Sequence, residues 1–151
     1  LDLLNILMVD ATFQELDENG LKECLADKNT LVLDTRDKPE YEKGYIVGSV
    51  NLSGMIYEKF GPLFVKNFTN VAVINTAANA KKILADLSSK LTVKGYFDLT
   101  PEKLASLTLP VQAVNSTDPK DLPNILKTEA DALVLDVRNP AELESAGLVK
   151  G

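Results

Sequence analysis

Leu31-Val-Leu-Asp-Thr-Arg36 recurs in the chain as Leu133-Val-Leu-Asp-Val-Arg138. Each copy opens with an apolar run too short for a helix and of the kind that a parallel sheet buries on both faces. Each then runs through acidic, helix-forming residues to a glycine. Glu40 and Glu42 match Glu142 and Glu144, and after a one-residue insertion Gly44 matches Gly147 and Gly48 matches Gly151. Upstream, Ala11 matches Ala113. A period of about a hundred residues is too long for a solenoid unit and corresponds to one domain. The expected organisation is a tandem duplication: residues 11–108 form a complete first copy, and 109–151 are the start of a second, truncated one. Residues 109–116, with their Pro, Gln, Asn and Ser, read as the join. Residues 1–10 are apolar and lack a start methionine, and are expected to be a linker or the tail of an upstream domain.

Working outward from the first copy, Ala11 to Leu16 reads as a short strand. Asp17 can cap a helix to about Lys28, with Leu21, Cys24 and Leu25 on one buried face. Lys38 to Lys43 reads as one or two helical turns, with Pro39 near the start and Gly44 ending it. Ile46 to Leu52 is expected to turn at Gly48 into a short strand, and Met55 to Phe64 to form an aromatic-bearing helix. Val71 to Ile74 is a buried strand followed by a loop and a helix to about Lys90. Val93 to Leu99 is a further strand, and Thr100-Pro101-Glu102 carries a cap, a first-turn proline and an acidic dipole partner in order. Strands alternating with helices imply an α/β sandwich, with helices on both faces of a mainly parallel sheet of about five strands. Residues 111–151 hold one good strand and at most two helices, too little to enclose a core, and are expected to be less stable.

The composition narrows the chemistry. The 151 residues are 45% hydrophobic and 25% charged, a globular profile, and a net charge of -6 with a pI near 4.7 disfavours nucleic acid and anionic membrane as partners. With no histidine and one cysteine, Ser-His and Cys-His catalytic pairs, most metal sites and an internal disulfide are excluded within this chain. No run approaches the roughly 20 apolar residues of a membrane span. A cytoplasmic location is expected.

Val32-Leu-Asp-Thr-Arg36, followed by Glu40-Tyr-Glu-Lys-Gly44-Tyr-Ile-Val-Gly48-Ser-Val-Asn51-Leu, resembles the rhodanese family of sulfurtransferase domains. In that family an Asp-x-Arg ends a strand, a short acidic helix follows, and a Gly-His-Ile-Pro-Gly-Ala segment leads into the next strand. This chain departs at the histidine, which is Tyr45 in the first copy and Leu148 in the second, and at the proline, which is Val47. The resemblance implies a rhodanese-like three-layer sandwich and places the active-site loop at Asn75-Thr76-Ala77-Ala78-Asn79-Ala80-Lys81. The family's cysteine nucleophile falls on Asn75. A thiolate can carry a sulfane sulfur as a persulfide, and backbone N–H groups with the helix dipole favour the anion; an amide can do neither. The loop is therefore expected to be vestigial, and neither a catalytic residue nor a metal-ligand set is assigned.

Cys24, on an apolar helix face away from that loop, is expected to be buried and inert. Free N–H groups over Thr76–Lys81, with Lys81 and Lys82, offer a cradle for an anion, although a capped helix start with solvated lysines is the preferred reading. Asp34 with Arg36, and Asp136 with Arg138, read as buried structural ion pairs holding a strand end to the next helix. With Gly44 and Gly48 they form the structural motif. Glu40, Glu42, Glu142 and Glu144 read as a solvated helix face.

The aromatic helix, the missing loop cysteine and Gly95-Tyr-Phe-Asp-Leu-Thr100 resemble the middle domain of metallo-β-lactamase–rhodanese fusions of the persulfide dioxygenase-sulfurtransferase type. What this implies is a non-catalytic module in a sulfur-metabolism parent, with iron or zinc only in an upstream domain. Its partners would be other domains of the same polypeptide, with persulfides or thiosulfate as the parent's sulfur donors. The alternative is a stand-alone regulatory or scaffold module that binds a protein partner or an anion. The oligomeric state is not legible in the sequence.

Overall fold

The computed structural model describes residues 12–147, so expectations for residues 1–11 and 148–151, including Leu148 and the Gly151 match, lie outside the described residues. The chain divides into two compact units, Leu1–Asn115 and Ser116–Gly151.

In the first unit the elements follow in the order α1 (Glu18–Ala26), β1 (Thr30–Asp34), α2 (Lys38–Lys43), β2 (Tyr45–Ile46), β3 (Val50–Asn51), α3 (Gly54–Val65), β4 (Asn70–Asn75), α4 (Ala77–Leu87), β5 (Thr92–Asp98), α5 (Pro101–Ser106) and β6 (Val111–Gln112). Four strands form one parallel sheet in the order β3-β1-β4-β5. The expected fifth strand is present only as a bridge: Glu15 pairs in parallel with Tyr96, Leu16 N–H donates to Tyr96 at 2.7 Å and Tyr96 N–H donates to Gln14 at 2.9 Å. Beside it β5 bulges, the register shifting between Val71 and Ala72. Gly95 makes this contact possible, since it sits at φ +139° and a Cβ there would collide with the Gln14 carbonyl.

Both faces of the sheet are covered, as the short apolar runs require. Leu31 and Leu33 of β1 and Val71 and Val73 of β4 pack with Ala80, Leu84 and Leu87 of α4. Val32, Ala72 and Ile74 point the other way, into a cluster with Leu21 and Cys24 of α1 and Leu99. That alternation over two central strands gives the three layers. Burying a side chain such as Leu84, which has no exposed surface, stabilises the fold by about 1.5–3 kcal/mol. Two helix starts follow their sequence signals: the Asp17 carboxylate accepts from Gly20 N–H at 2.8 Å, and Thr100 accepts from Lys103 N–H at 3.2 Å with Pro101 in the first turn.

A second, two-stranded sheet pairs β2 with β6, antiparallel. Val47 N–H donates to Pro110 and Val114 N–H to Glu42, both at 2.9 Å. The stretch read as the join is thus bonded to the first unit as far as Val114.

The second unit holds a 3-10 turn (Pro119–Asp121) running into α6 (Leu122–Thr128), then α7 (Pro140–Ala146). The strand expected at Leu133–Asp136 is not formed among the described residues. The backbone there is irregular, and Leu133 and Leu135 are 87% and 75% exposed. A strand is stable only when a neighbour takes up its N–H and C=O groups, and no partner strand is present among the described residues of this unit. No helix among the described residues is long and apolar enough to cross a membrane.

Candidate functional site

The carboxyl ends of β1 and β4 lie side by side, with Asp34 in register with Ile74 and Thr35 N–H donating to the Ile74 carbonyl at 3.0 Å. A pocket of about 220 Å³ opens at this edge, lined by Thr35, Arg36, Asp37 and Glu40 after β1 and by Asn75, Asn79 and Lys82 after β4.

The Asp-x-Arg motif builds one wall of this edge. Asp34 is fully buried and Arg36 is 6% exposed. The guanidinium spans the carboxylate, Nη2 to Oδ2 at 2.7 Å and Nε to Oδ1 at 3.1 Å, while Arg36 N–H donates to Oδ1 at 3.0 Å. Nη2 also donates to the Gly44 carbonyl at 2.9 Å, tying the strand end to the end of α2. This is the buried structural pair the sequence implies. With Nε and Nη2 both spent on Asp34 and Gly44, that edge of the guanidinium is not open to a ligand. Asn51, whose role the sequence did not reveal, locks the same turn: its Nδ2 donates to the carbonyls of both Asp34 and Arg36 at 3.0 Å.

Asn75 stands at the end of β4, only 8% exposed. Its Nδ2 donates to Thr35 Oγ1 at 2.8 Å, and its Oδ1 accepts from Thr76 N–H at 2.7 Å. The side chain therefore stitches the two central strand ends together. Thr35 is the second partner that sequence reasoning missed, because nothing in the spacing of residues 35 and 75 shows that they meet.

The loop expected over Asn75–Lys81 is shorter than that. Asn75 belongs to β4, Thr76 is the N-cap, and Ala77, Ala78, Asn79, Ala80 and Lys81 are already in α4. Ala80 N–H closes the first helical bond to Thr76 at 2.9 Å, and Ala80 is fully buried. Alanine-rich sequence extends the helix back to Ala77, where a longer loop was expected, so the capped helix start preferred over an anion cradle is what forms. Lys81 lies over the Tyr96 ring, 5.6 Å from its centroid, and Lys82 alone of the two lysines lines the pocket.

Tyr45, at the position of the family's histidine, stacks on Tyr41 with centroids 4.6 Å apart and bonds Gln112 through its hydroxyl at 3.0 Å. Burial raises the Tyr41 pKa above its ordinary value. Gly48 turns the chain between β2 and β3 at φ +96°, where an L side chain is strained.

Cys24 is buried at 7% exposure, and desolvation raises its thiol pKa, with Asp27 and Glu23 adding to the effect and Lys94 opposing it. It borders a pocket with Asp27, Thr30 and Lys94. Thr30 starts β1, so this pocket lies at the amino end of the strands, roughly 13–16 Å of strand rise from the Asn75 edge. Among the described residues no three His, Cys, Asp or Glu side chains are grouped to hold a metal ion.

Glu40 is exposed and Glu42 half-buried, paired with Lys38 at 3.5 Å. In the second unit Glu142 is more than a solvated carboxylate. It closes a capping box on α7, accepting from Asn139 N–H at 2.8 Å while its own N–H donates to the Asn139 side chain at 3.1 Å. Asp136 and Arg138 repeat the first copy's pairing but are not buried: their side chains remain 29% and 30% exposed. The burial expected for this pair fails because no sheet forms around it among the described residues.

A parallel sheet covered by helices on both faces, with a pocket at the carboxyl ends of its two central strands, defines an open-sheet α/β domain of the class that places its ligand sites at strand ends. Within that class residues 17–100, more than half of the chain, match the family model described as the rhodanese-like domain, and the chain belongs to the rhodanese-like domain family. Its fold is similar to that of a protein of Bacillus halodurans, with TM-score 0.51 and 15% identity, over 81% of this chain and 96% of that one. A protein of Anabaena sp. aligns with TM-score 0.48 and 15% identity over 70% of this chain and 96% of its own. No curated protein sequence matches the chain.

Proposed function

We propose that the first unit is a non-catalytic rhodanese-like module of a larger sulfur-metabolism protein, in which a metallo-β-lactamase-fold persulfide dioxygenase or hydrolase is joined to a rhodanese sulfurtransferase. One observation carries the non-catalytic part: the end of β4 presents Asn75, an amide whose donor and acceptor are both engaged, on Thr35 Oγ1 and Thr76 N–H. An amide is not a nucleophile toward sulfane sulfur, and Asn75 fills a structural role that a thiol would not fill as well. Arg36, held by Asp34 and Gly44, keeps the edge rigid. In this reading the module spaces and docks the catalytic domains of its parent. Iron or zinc would sit in the upstream domain, and persulfides or thiosulfate would be the parent's substrates.

Transfer of sulfur from thiosulfate to a thiol acceptor tests the reading. The chain is expected to show no turnover above the uncatalysed rate. Turnover that disappears in Cys24→Ser would overturn it.

A further inference from the structure

One layer of the first unit is basic in an otherwise acidic chain. Residues 54–90, which hold α3, β4 and α4, carry five lysines against two carboxylates, whereas the whole chain has 16 basic and 22 acidic residues. One of those two carboxylates is taken up internally, since Tyr57 Oη donates to Asp86 Oδ2 at 2.9 Å. On the outer side of this layer α3 shows solvent an apolar stripe, in which Ile56, Phe60, Leu63 and Phe64 are 49%, 39%, 53% and 37% exposed. Its inner side buries Val65 and packs Tyr57 on the core. Four large apolar side chains in line on one helix form a patch, which marks an interaction surface where scattered single residues would not.

Their spacing is that of a coiled-coil seam. Ile56, Phe60 and Leu63 follow at steps of four and three, the d, a and d places of a heptad, and Lys59 and Lys66 then both fall at g, along one edge of the seam. Both lysines are exposed, and neither forms a salt bridge with a described residue. Lys59 lies over the Phe60 ring, 5.2 Å from its centroid. Pro62 is off the seam, in the cleft lined by Asp86 and Leu87 of α4. Charges at g select the partner helix. A second copy of α3 is a poor match: laid antiparallel it sets lysine against lysine, and laid parallel it sets lysine against Tyr57 or Phe64, so no carboxylate meets either lysine. An anionic bilayer also fits poorly, because lysines edge one side of the stripe only and the net charge of the chain is -6.

We propose that the outer face of α3 docks an acidic amphipathic helix of a different domain or protein. Its apolar seam covers Ile56, Phe60 and Leu63, and carboxylates along one edge meet Lys59 and Lys66. The two lysines are two helical turns apart, about 10.5 Å, which sets the same heptad spacing for the partner's carboxylates. Phe64 flanks the seam and widens the apolar contact. Because α3 has only 12 residues, the contact is short and suits a neighbour held close by a tether or a transient partner. The surface lies on α3 and is independent of the chemistry proposed for the parent.

Two helical peptides of about three turns test it, both with the same leucine seam, one flanked by glutamates and the other by lysines. NMR titration of the full chain reads the Ile56 and Leu63 methyl signals, with those of Leu31 and Leu33 as the control for folding. The glutamate peptide is expected to shift the α3 signals and to bind about ten-fold or more tightly than the lysine peptide. Lys59→Glu combined with Lys66→Glu, both exposed positions, should reverse that preference with the fold intact, and Phe60→Asp should abolish binding of either peptide. The proposal is overturned if neither peptide moves the α3 signals at about 1 mM, the weak limit of specific association. Equal binding of the two peptides, or a preference that survives the charge reversal, overturns it as well. Capture of the chain by phosphatidylglycerol vesicles but not by the glutamate peptide, or a dimer that Phe60→Asp dissolves, would replace the assigned occupant with a membrane or a second copy.

Discussion

Arg36 lies 2.7 Å from Asp34 with side chains 6% and 0% exposed, whereas Arg138 lies 2.6 Å from Asp136 with side chains 30% and 29% exposed. The bonds are the same and the surroundings are not. Six residues and a following glycine are enough to form the clamp, so its geometry is local. Burial comes from elsewhere, from the β3 and β4 strands that flank β1 and have no counterpart around Leu133 among the described residues. The helices that follow differ in the opposite sense. Asp37 makes no side-chain bond at the start of α2, whereas Asn139 and Glu142 cap α7 fully. The first copy leans on its core, and the second depends on local bonds.

Substitutions that remove one member of each pair should break this symmetry most visibly. Asp34→Ala leaves Arg36 buried without its carboxylate and is expected to destabilise the first unit by about 3–5 kcal/mol. Asp136→Ala, in solvent, should leave the denaturation midpoint of that unit unchanged. Urea unfolding followed on signals of the first unit compares the two, and similar losses from both would refute the local reading of the clamp.

Leucine truncation probes the strands in the same way. Leu33→Ala is expected to cost about 2–5 kcal/mol because Leu33 is fully buried. Leu135→Ala should stay within about 0.5 kcal/mol, as for a surface site. Thermal melts of both variants give the contrast.

Asn75→Ala removes the stitch between β1 and β4, leaves Thr35 Oγ1 and Thr76 N–H without that partner, and should cost about 1–3 kcal/mol in the same unfolding experiment. Asn75→Asp keeps the acceptor for Thr76 and loses the donor to Thr35, so it separates the two bonds.

The smallest expected effect is electrostatic. Hydrogen bonds from the Arg138 side chain, then from its backbone, lower the Asp136 carboxyl from an ordinary 3.8 to about 2. Because the folded value is the depressed one, the clamp's contribution is present above the ordinary pKa and is lost as pH falls through about 2. An NMR titration of the Asp136 carboxyl carbon should therefore find its midpoint well below 3.8, and a midpoint at 3.8 would mean that the clamp is not formed in solution.

Much of the fold was legible because it is written in short-range pattern. The apolar runs at Leu31 and Val71, the Asp17 and Thr100 caps and the Asp-x-Arg motif each identify their element from a few neighbouring residues. The candidate site was less legible because its bonds are long-range. Asn51 reaching two carbonyls across the sheet, and Thr35 meeting Asn75, are 15–17 and 40 residues apart in sequence, and no periodicity encodes them. Two expectations failed for physical reasons. Alanine propensity turned Ala77–Lys81 of the expected loop into helix, and Leu133–Asp136 reads as a strand in sequence yet has no neighbour among the described residues with which to be one.

A rhodanese-like unit that carries no sulfur keeps its intact mass after incubation with thiosulfate or glutathione persulfide, before and after reduction. No gain is expected, in the chain or in Cys24→Ser, because Asn75 offers no thiol and Cys24 is buried with its pKa raised. A reducible gain of one sulfur on the chain but not on Cys24→Ser would show that the unit carries sulfur on Cys24 after all.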